Sequence, residues 1–256
     1  MVDKLNPELL ERAVEWIEAA GDVVVFSGAG MSAESGIPTF RDAQTGLWAK
    51  YDPLRLATVD GFLSDPKLVW DWYAYRRKLI REKEPNPGHT AVVELESLVE
   101  KLTVVTQNVD SLHQRAGSKN VIELHGNITR VKCFNGDHLY PDWDDQAMQE
   151  DELPPRCGHC GQMLRPDVVW FGEQLPDGAL EESFQLVENC DVMLVVGTSG
   201  TVQPAASLPV VAREAGARVI EVNPEISEIT RTAHFLLKGA SGNVLPQVVR
   251  ELKKQK

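Results

Sequence analysis

The stretch Val23-Val24-Val25-Phe26 carries no polar residue and runs directly into Ser27-Gly28-Ala29-Gly30. A strand that is apolar at every position must be covered on both faces, as inside a parallel sheet flanked by helices. Similar short runs recur at 102–106, 121–124, 193–196 and 218–222, with a weaker one at 234–237. Helical patterns fall between them. The first, 7–20, has Pro7 near its start and Leu9, Leu10, Val14 and Ile17 at helical spacing. Others cover 90–101, 179–188 and 204–215. This alternation predicts an α/β fold with a doubly wound parallel sheet.

Two stretches break the alternation. Residues 41–86 are polar and aromatic, with Trp70, Trp72 and Tyr73 on one expected helix. Residues 129–165 hold three of the four cysteines. The expected organisation is a sheet domain from 1–40, 87–128 and 166–256. A smaller domain comes from a helical insertion with a cofactor loop (41–86) and a cysteine-containing, zinc-ribbon-like module (129–165). A cleft between the two is the natural active site.

Composition narrows the partners. Lys and Arg total 26 against 38 Asp and Glu, a formal charge of −12. An acidic surface repels nucleic acid and anionic membrane at long range. It is compatible with basic, lysine-bearing polypeptides. No apolar run approaches the roughly 20 residues that span a bilayer, and the charged N-terminal segment does not read as a secretory signal. The expectation is a soluble cytoplasmic protein that binds neither nucleic acid nor membrane. Cys157-x-x-Cys160, in a reducing compartment, points to metal or redox chemistry before a structural disulfide.

The chemistry-bearing residues cluster at expected strand ends, where open α/β sheets bind ligands. Gly28-Ala29-Gly30-Met31-Ser32-Ala33 follows the first strand. Glycines there let the backbone approach a pyrophosphate, with the next helix offering N–H groups; a tight turn without ligand uses the same residues. A dehydrogenase would show a second strand with an acidic ribose ligand about 20 residues on. The segment 40–48 does not read as one, so the loop is expected to bind a dinucleotide in another manner. Gln107-Asn108-Val109-Asp110 ends the second strand. It is suited to holding a planar amide such as nicotinamide, or to capping a helix through Asp110. His125-Gly126 ends the third, where an imidazole serves as general base or as a structural hydrogen-bonding group. Gly197-Thr198-Ser199 and Asn223-Pro224-Glu225 end later strands, as ribose or phosphate contacts or as turns.

In order along the chain, these segments resemble the sirtuins. The resemblance rests on Gly28-Ala29-Gly30-Met31-Ser32, Gly36-Ile37-Pro38-Thr39-Phe40-Arg41, Gln107-Asn108-Val109-Asp110 and His125-Gly126. Val168-Val169-Trp170-Phe171-Gly172-Glu173, Gly197-Thr198-Ser199 and Asn223-Pro224 complete it. It implies a Rossmann-like NAD domain and NAD-dependent removal of acyl groups from lysine, with NAD consumed; the alternatives are an ADP-ribosyltransferase on the same fold and a non-catalytic NAD-binding sensor. His125 is then the base and Asn108 a second catalytic residue. The implied cofactor residues are Gly28, Ala29, Gly30, Ser32, Ala33, Pro38, Thr39, Phe40, Arg41, Trp48, Gln107, Asn108, Val109, Asp110, His125, Gly197, Thr198, Ser199, Asn223, Pro224, Glu225 and Ala240. An acyl-lysine protein or peptide would lie beside Val168, Val169, Trp170, Phe171 and Gly172.

Two further expectations follow from the resemblance. The family's zinc pattern is two Cys-x-x-Cys pairs, and here the first is incomplete, because Cys133-Phe134-Asn135-Gly136 ends without a ligand atom. Cys133, Cys157 and Cys160 remain, with Asp137 or His138 as a fourth ligand; the alternative is a metal-free module held by packing. Cys190 reads as a buried thiol. Tyr73 and Arg76, three apart on one helix face, are similar to the Tyr-x-x-Arg signature of the branch that removes succinyl and malonyl groups. A guanidinium and a phenol together suit a carboxylate. Tyr75 and Arg77 form a second candidate pair on the same helix.

Overall fold

The computed structural model describes residues 5–38, 52–136, 138–145, 153–176 and 178–255. Thr39, Phe40, Arg41, Trp48 and Asp137 lie outside the described residues.

Helix α1 (Pro7–Glu18) starts at Asn6, whose side chain accepts the Glu8 N–H at 3.0 Å. It buries Ala13, Val14 and Ile17. Strand β1 (Asp22–Ser27) follows, then the short helix α2 (Ala29–Ala33). Helices α3 (Pro53–Leu56), α4 (Val59–Ser64), α5 (Pro66–Arg81) and α6 (Pro87–Glu96) lead to β2 (Lys101–Thr106). The expected 90–101 helix thus begins and ends earlier. Asn86 and His89 form a capping box around Pro87, and the chain leaves the helix at Ser97 to reach β2.

Helix α7 (Leu112–Ala116) precedes β3 (Val121–Glu123), β4 (Gly126–Cys133), β5 (Leu139–Tyr140) and β6 (Leu164–Val168). The chain closes with α8 (Ala179–Asn189), β7 (Val192–Val196), α9 (Leu208–Glu214), β8 (Arg218–Asn223), β9 (Phe235–Lys238) and α10 (Ser241–Gln255). The expected 204–215 helix divides into a 3-10 turn, Ala205–Ser207, and α9. Pro209, which has no N–H for the ladder, sits in the first turn of α9.

The main sheet has six strands in the order β3-β2-β1-β7-β8-β9, and all its pairings are parallel. Alternate residues of β1 serve opposite cores. Val23 and Val25 pack with α1, α6 and α10; Val24 and Phe26 pack with α8 and α9. The unbroken apolar run is thereby explained. The chain leaves β1 towards β2 and β3 on one side and returns through β7 on the other. This reversal opens a crevice at the carboxyl ends of β1 and β7.

A second sheet of three antiparallel strands, β5-β4-β6, joins α4 and α5 in a smaller lobe. Only Leu124 and His125 separate β3 of the large sheet from β4 of the small one. Gly126 makes the junction possible: its φ is +74°, and a Cβ there would lie 2.3 Å from the Asp167 carbonyl oxygen. No described helix is long and apolar enough to cross a membrane.

Candidate active site

The floor of the crevice is backbone against backbone. Gly28 N–H donates to the Val196 carbonyl at 2.9 Å, and Gly30 N–H to the Gly197 carbonyl at 2.8 Å. A Cβ on Gly30 would stand 2.8 Å from Gly197 Cα, and one on Gly28 would stand 2.7 Å from Thr198 Cβ. The first and fourth strand ends therefore interlock only as glycines. Ala29 and Ala33 bound α2, and Pro38 ends this described segment.

Side chains from β2 complete this wall. Asn108 Nδ2 donates to the Gly28 carbonyl at 3.0 Å and to Ser32 Oγ at 3.1 Å, so the amide presents its oxygen as an acceptor. Asp110 is buried and accepts the Leu112 N–H at 2.9 Å. Burial raises its pKa against the opposing hydrogen bonds from Ser32 and Leu112. Asp110 is not itself the N-cap of α7, which is Ser111; it stands one residue earlier and bonds the first N–H of the helix. Gln107 Nε2 donates to Thr198 Oγ1 at 3.0 Å, linking the β2 and β7 ends. The Val109 carbonyl accepts the Ile128 N–H at 2.9 Å, and its side chain packs into the small lobe.

His125 sits at the seam between the two sheets, half-buried. Its Nδ1 lies 2.9 Å from the Gln107 carbonyl, which can only accept, so Nδ1 carries the proton and Nε2 the lone pair. Burial lowers the imidazole pKa, opposed by the Gln107 bond. The ring is neutral near pH 7 and basic at Nε2.

Opposite lies the segment after β6. Val169 N–H donates to the His125 carbonyl at 2.9 Å, and Phe171 N–H to the Ala57 carbonyl at 2.9 Å. Val168 is buried, Phe171 is 48% exposed, and Gly172 has φ +88°. Trp170 is 1% exposed, so its ring stands behind the cleft surface. Its indole N–H donates to the Tyr73 hydroxyl at 3.0 Å. The Tyr73 oxygen is therefore an acceptor here, and its own proton remains for another partner. Burial pushes this phenol up to about 12, which keeps that proton in place. Arg165, unremarked in the sequence, braces the segment. It binds Glu173 through two nitrogens at 2.5 and 2.8 Å, donates to the Val168 carbonyl at 3.0 Å, and stacks 3.4 Å from the Trp170 ring centre. A charged residue within an otherwise buried strand was the available signal.

The two arginines of α5 part company. Arg76 lies over Trp72 and Tyr73, at 4.9 and 5.9 Å from the ring centres, within the Coulomb field of Asp110. Arg77 is fully buried and grips Asp145 with Nη2 at 2.6 Å and Nε at 2.9 Å. Tyr75 is 44% exposed. Tyr73 and Arg76 are thus the pair sharing the Trp170 side, while Arg77 fastens the cysteine module to α5.

At the other end of the crevice, a cavity of about 540 Å³ is lined by Gly197, Thr198, Ser199, Asn223 and Glu225, among others. Pro224 is exposed beside it. Ala240 lies at the end of β9, its carbonyl accepting the Asn243 and Val244 N–H groups that open α10.

Away from the cleft, Cys133, His138, Cys157 and Cys160 bring their ligand atoms within 4.8 Å of one another. His138 Nδ1 is 3.7 Å from Cys133 Sγ and 3.6 Å from Cys157 Sγ. Tetrahedral zinc bonded to sulfur and nitrogen separates its ligands by about 3.5–3.8 Å, so the set fits zinc. Of the two sequence candidates for the fourth position, His138 is in place among the described residues.

Comparison with known proteins agrees. Residues 28–204 match the model of the Sir2 family. The chain is 52% identical over 232 residues to "NAD-dependent protein deacylase 2" of Pyrobaculum aerophilum, covering 91% of each. A crystal structure of a Sir2 homolog–NAD complex superposes with a TM-score of 0.88 at 42% identity, covering 96% of this chain and 94% of that one. The structure of Sir2Af2 bound to a myristoylated histone peptide gives 0.78 at 35% identity, covering 98% of each. The chain belongs to the Sir2 family.

Proposed function

We propose that this protein is an NAD-dependent lysine deacylase with a preference for acidic acyl groups. The observation that carries the reading is His125, fixed as an Nε2 base at the seam of the two sheets, with Val168–Gly172 alongside. NAD lies along the strand ends over the interlocked glycines, its nicotinamide amide held by Asn108 and Asp110. The remaining proposed cofactor residues are Ala29, Ala33, Pro38, Val109, Pro224, Glu225 and Ala240; Thr39, Phe40, Arg41 and Trp48, implied by the resemblance, lie outside the described residues.

The acyl-lysine enters beside Val168–Gly172. Its amide oxygen forms a bond to the ribose carbon as the bond to nicotinamide breaks. His125 Nε2 accepts the proton of a ribose hydroxyl, whose oxygen then attacks the former amide carbon. Water completes the transfer, giving free lysine, nicotinamide and O-acyl-ADP-ribose. Arg76 and the Tyr73 proton receive the carboxylate of a succinyl or malonyl group. The two-lobe division lets peptide and NAD approach the base from opposite sides. Zinc, held by Cys133, His138, Cys157 and Cys160, supplies a structural cross-link remote from the reaction. The acidic charge and the absence of a spanning helix among the described residues support a cytoplasmic setting with protein or peptide substrates.

The test is incubation with NAD and peptides bearing acetyl-, malonyl-, succinyl- and longer acyl-lysine, with products identified by mass. Free lysine and O-acyl-ADP-ribose are expected, formed most efficiently from succinyl and malonyl peptides. ADP-ribose attached to protein instead would overturn the deacylase reading. Metal analysis of protein purified without chelator is expected to return about one zinc per chain.

A further inference from the structure

Glu221 stands in the middle of β8 between Ile220 and Val222, fully buried. Its partners among the described residues are neutral donors. Ser227 Oγ at 2.5 Å and Asn223 Nδ2 at 3.2 Å reach one carboxylate oxygen; Thr230 Oγ1 at 2.5 Å reaches the other. A buried carboxylate is tolerated only when hydrogen-bonded, so these donors are held firmly.

All three donors line the cavity at the β7 and β8 ends. Ser227 Oγ also accepts the Ile229 N–H at 3.0 Å, and Thr230 Oγ1 accepts the Ser227 N–H at 3.0 Å. The 223–230 segment is thereby cross-linked onto one buried side chain. Asn223 matters most. Its Nδ2 donates both to Glu221 and to the Thr198 carbonyl at 3.0 Å. With both protons engaged, what Asn223 can offer the cavity is its carbonyl oxygen, an acceptor suited to ribose hydroxyl groups.

We infer that Glu221 is a positioning residue for NAD: it fixes Asn223 as a hydroxyl acceptor and shapes the loop around the dinucleotide's ribose. This rests on NAD occupying the strand-end crevice as proposed above. The side chain does not touch the reacting atoms. Its removal should weaken NAD binding and leave the chemical step alone.

The test pairs Glu221→Leu, of similar volume without acceptors, with Glu221→Gln. The Gln carbonyl can accept from Asn223 and Ser227 while its amide donates to Thr230, so it serves as the conservative rescue. For Glu221→Leu, KM for NAD should rise roughly tenfold or more, with kcat within about twofold of wild type. ADP-ribose affinity should fall in parallel, while inhibition by free nicotinamide stays unchanged. Glu221→Gln should return KM towards wild type. A folded Leu variant with wild-type KM and ADP-ribose affinity overturns the inference, as does a fall in kcat at constant KM. If the Leu variant does not fold, Glu221→Asp decides, because its shorter side chain cannot reach all three donors. A several-fold rise in KM supports the assignment and a wild-type KM overturns it. Should wild type prove unable to deacylate any peptide, that reading fails separately, since ADP-ribose affinity still tests Glu221.

Discussion

The two walls of the cleft are built by different means. On the dinucleotide side the backbone itself is the material: Gly28, Gly30 and Gly197 meet so closely that added Cβ atoms would stand 2.4–2.8 Å from their neighbours. On the side proposed for the acyl group, backbone pairs such as Val169 N–H to the His125 carbonyl are braced in addition by long charged and aromatic side chains. Arg165 clamps Glu173, Trp170 bonds Tyr73, and Arg77 fastens Asp145. A phosphate-bearing ligand common to every turnover suits a main-chain cradle. An acyl group that varies in length and charge suits side chains, which can change one at a time. The comparison teaches where specificity resides: replacements on the braced wall should alter which acyl group is used, and replacements on the interlocked wall should alter NAD use for all of them.

His125 belongs to the seam, so its loss should affect every substrate. His125→Ala is expected to lower deacylation by about 10²–10⁴ with NAD binding retained, measured by turnover at saturating substrate and by calorimetry. Near wild-type turnover would remove the base assignment.

Arg77→Met tests the structural half of the braced wall. Asp145 keeps Arg81 and the Trp143 indole as partners, so losing the Arg77 bonds should cost about 1–3 kcal/mol and denaturant midpoints should drop. Activity of the protein that remains folded should fall alike for succinyl and acetyl peptides. A selective loss of succinyl activity would mean that Arg77, and not Arg76, reads the carboxylate.

Arg76→Met is the complementary case. Losing a charge-assisted hydrogen bond of about 1.5–3 kcal/mol should lower succinyl-peptide kcat/KM by tens-fold or more. Acetyl-peptide kcat/KM should change far less, because acetyl has no carboxylate. Equal losses would break the distinction between the two arginines.

The smallest expected effect is on the backbone wall. Gly30→Ala must push Gly197 aside, at a cost of about 1–3 kcal/mol typical of overpacking. KM for NAD should rise by the same factor whichever acyl peptide is supplied. A change in the succinyl-to-acetyl ratio would show that the two walls are not independent.

Much of the large lobe was legible because a doubly buried strand leaves no choice of residue. Val23–Phe26 and Met193–Val196 could be placed from apolarity, whereas β3, half-buried at the sheet edge and ending in Glu123, carries a weaker signal. Helix α6 departs by several residues from its apolar periodicity because its boundary is written in the Asn86–Pro87 cap. In the site, glycines and strand-end polar residues were legible by position. Arg165 and Glu221 were not, since their partners, Glu173 for the one and Asn223, Ser227 and Thr230 for the other, meet them only once the chain has turned back after the strand.

The parallel sheet, the strand ends and the incomplete cysteine set are readable from the chain alone, because they depend on local residue types and spacing. Folding settles which arginine of α5 lies against Tyr73. Arg76 and Arg77 differ by one step, about 100° around the helix, and both satisfy the local pattern. The difference is made by Asp145, 68 residues beyond Arg77, which captures Arg77 and leaves Arg76 on the Tyr73 side. His138 beside Cys133 and Cys157, and the His125 proton fixed by the Gln107 carbonyl, are of the same kind. Each depends on a partner that the chain brings near only by folding.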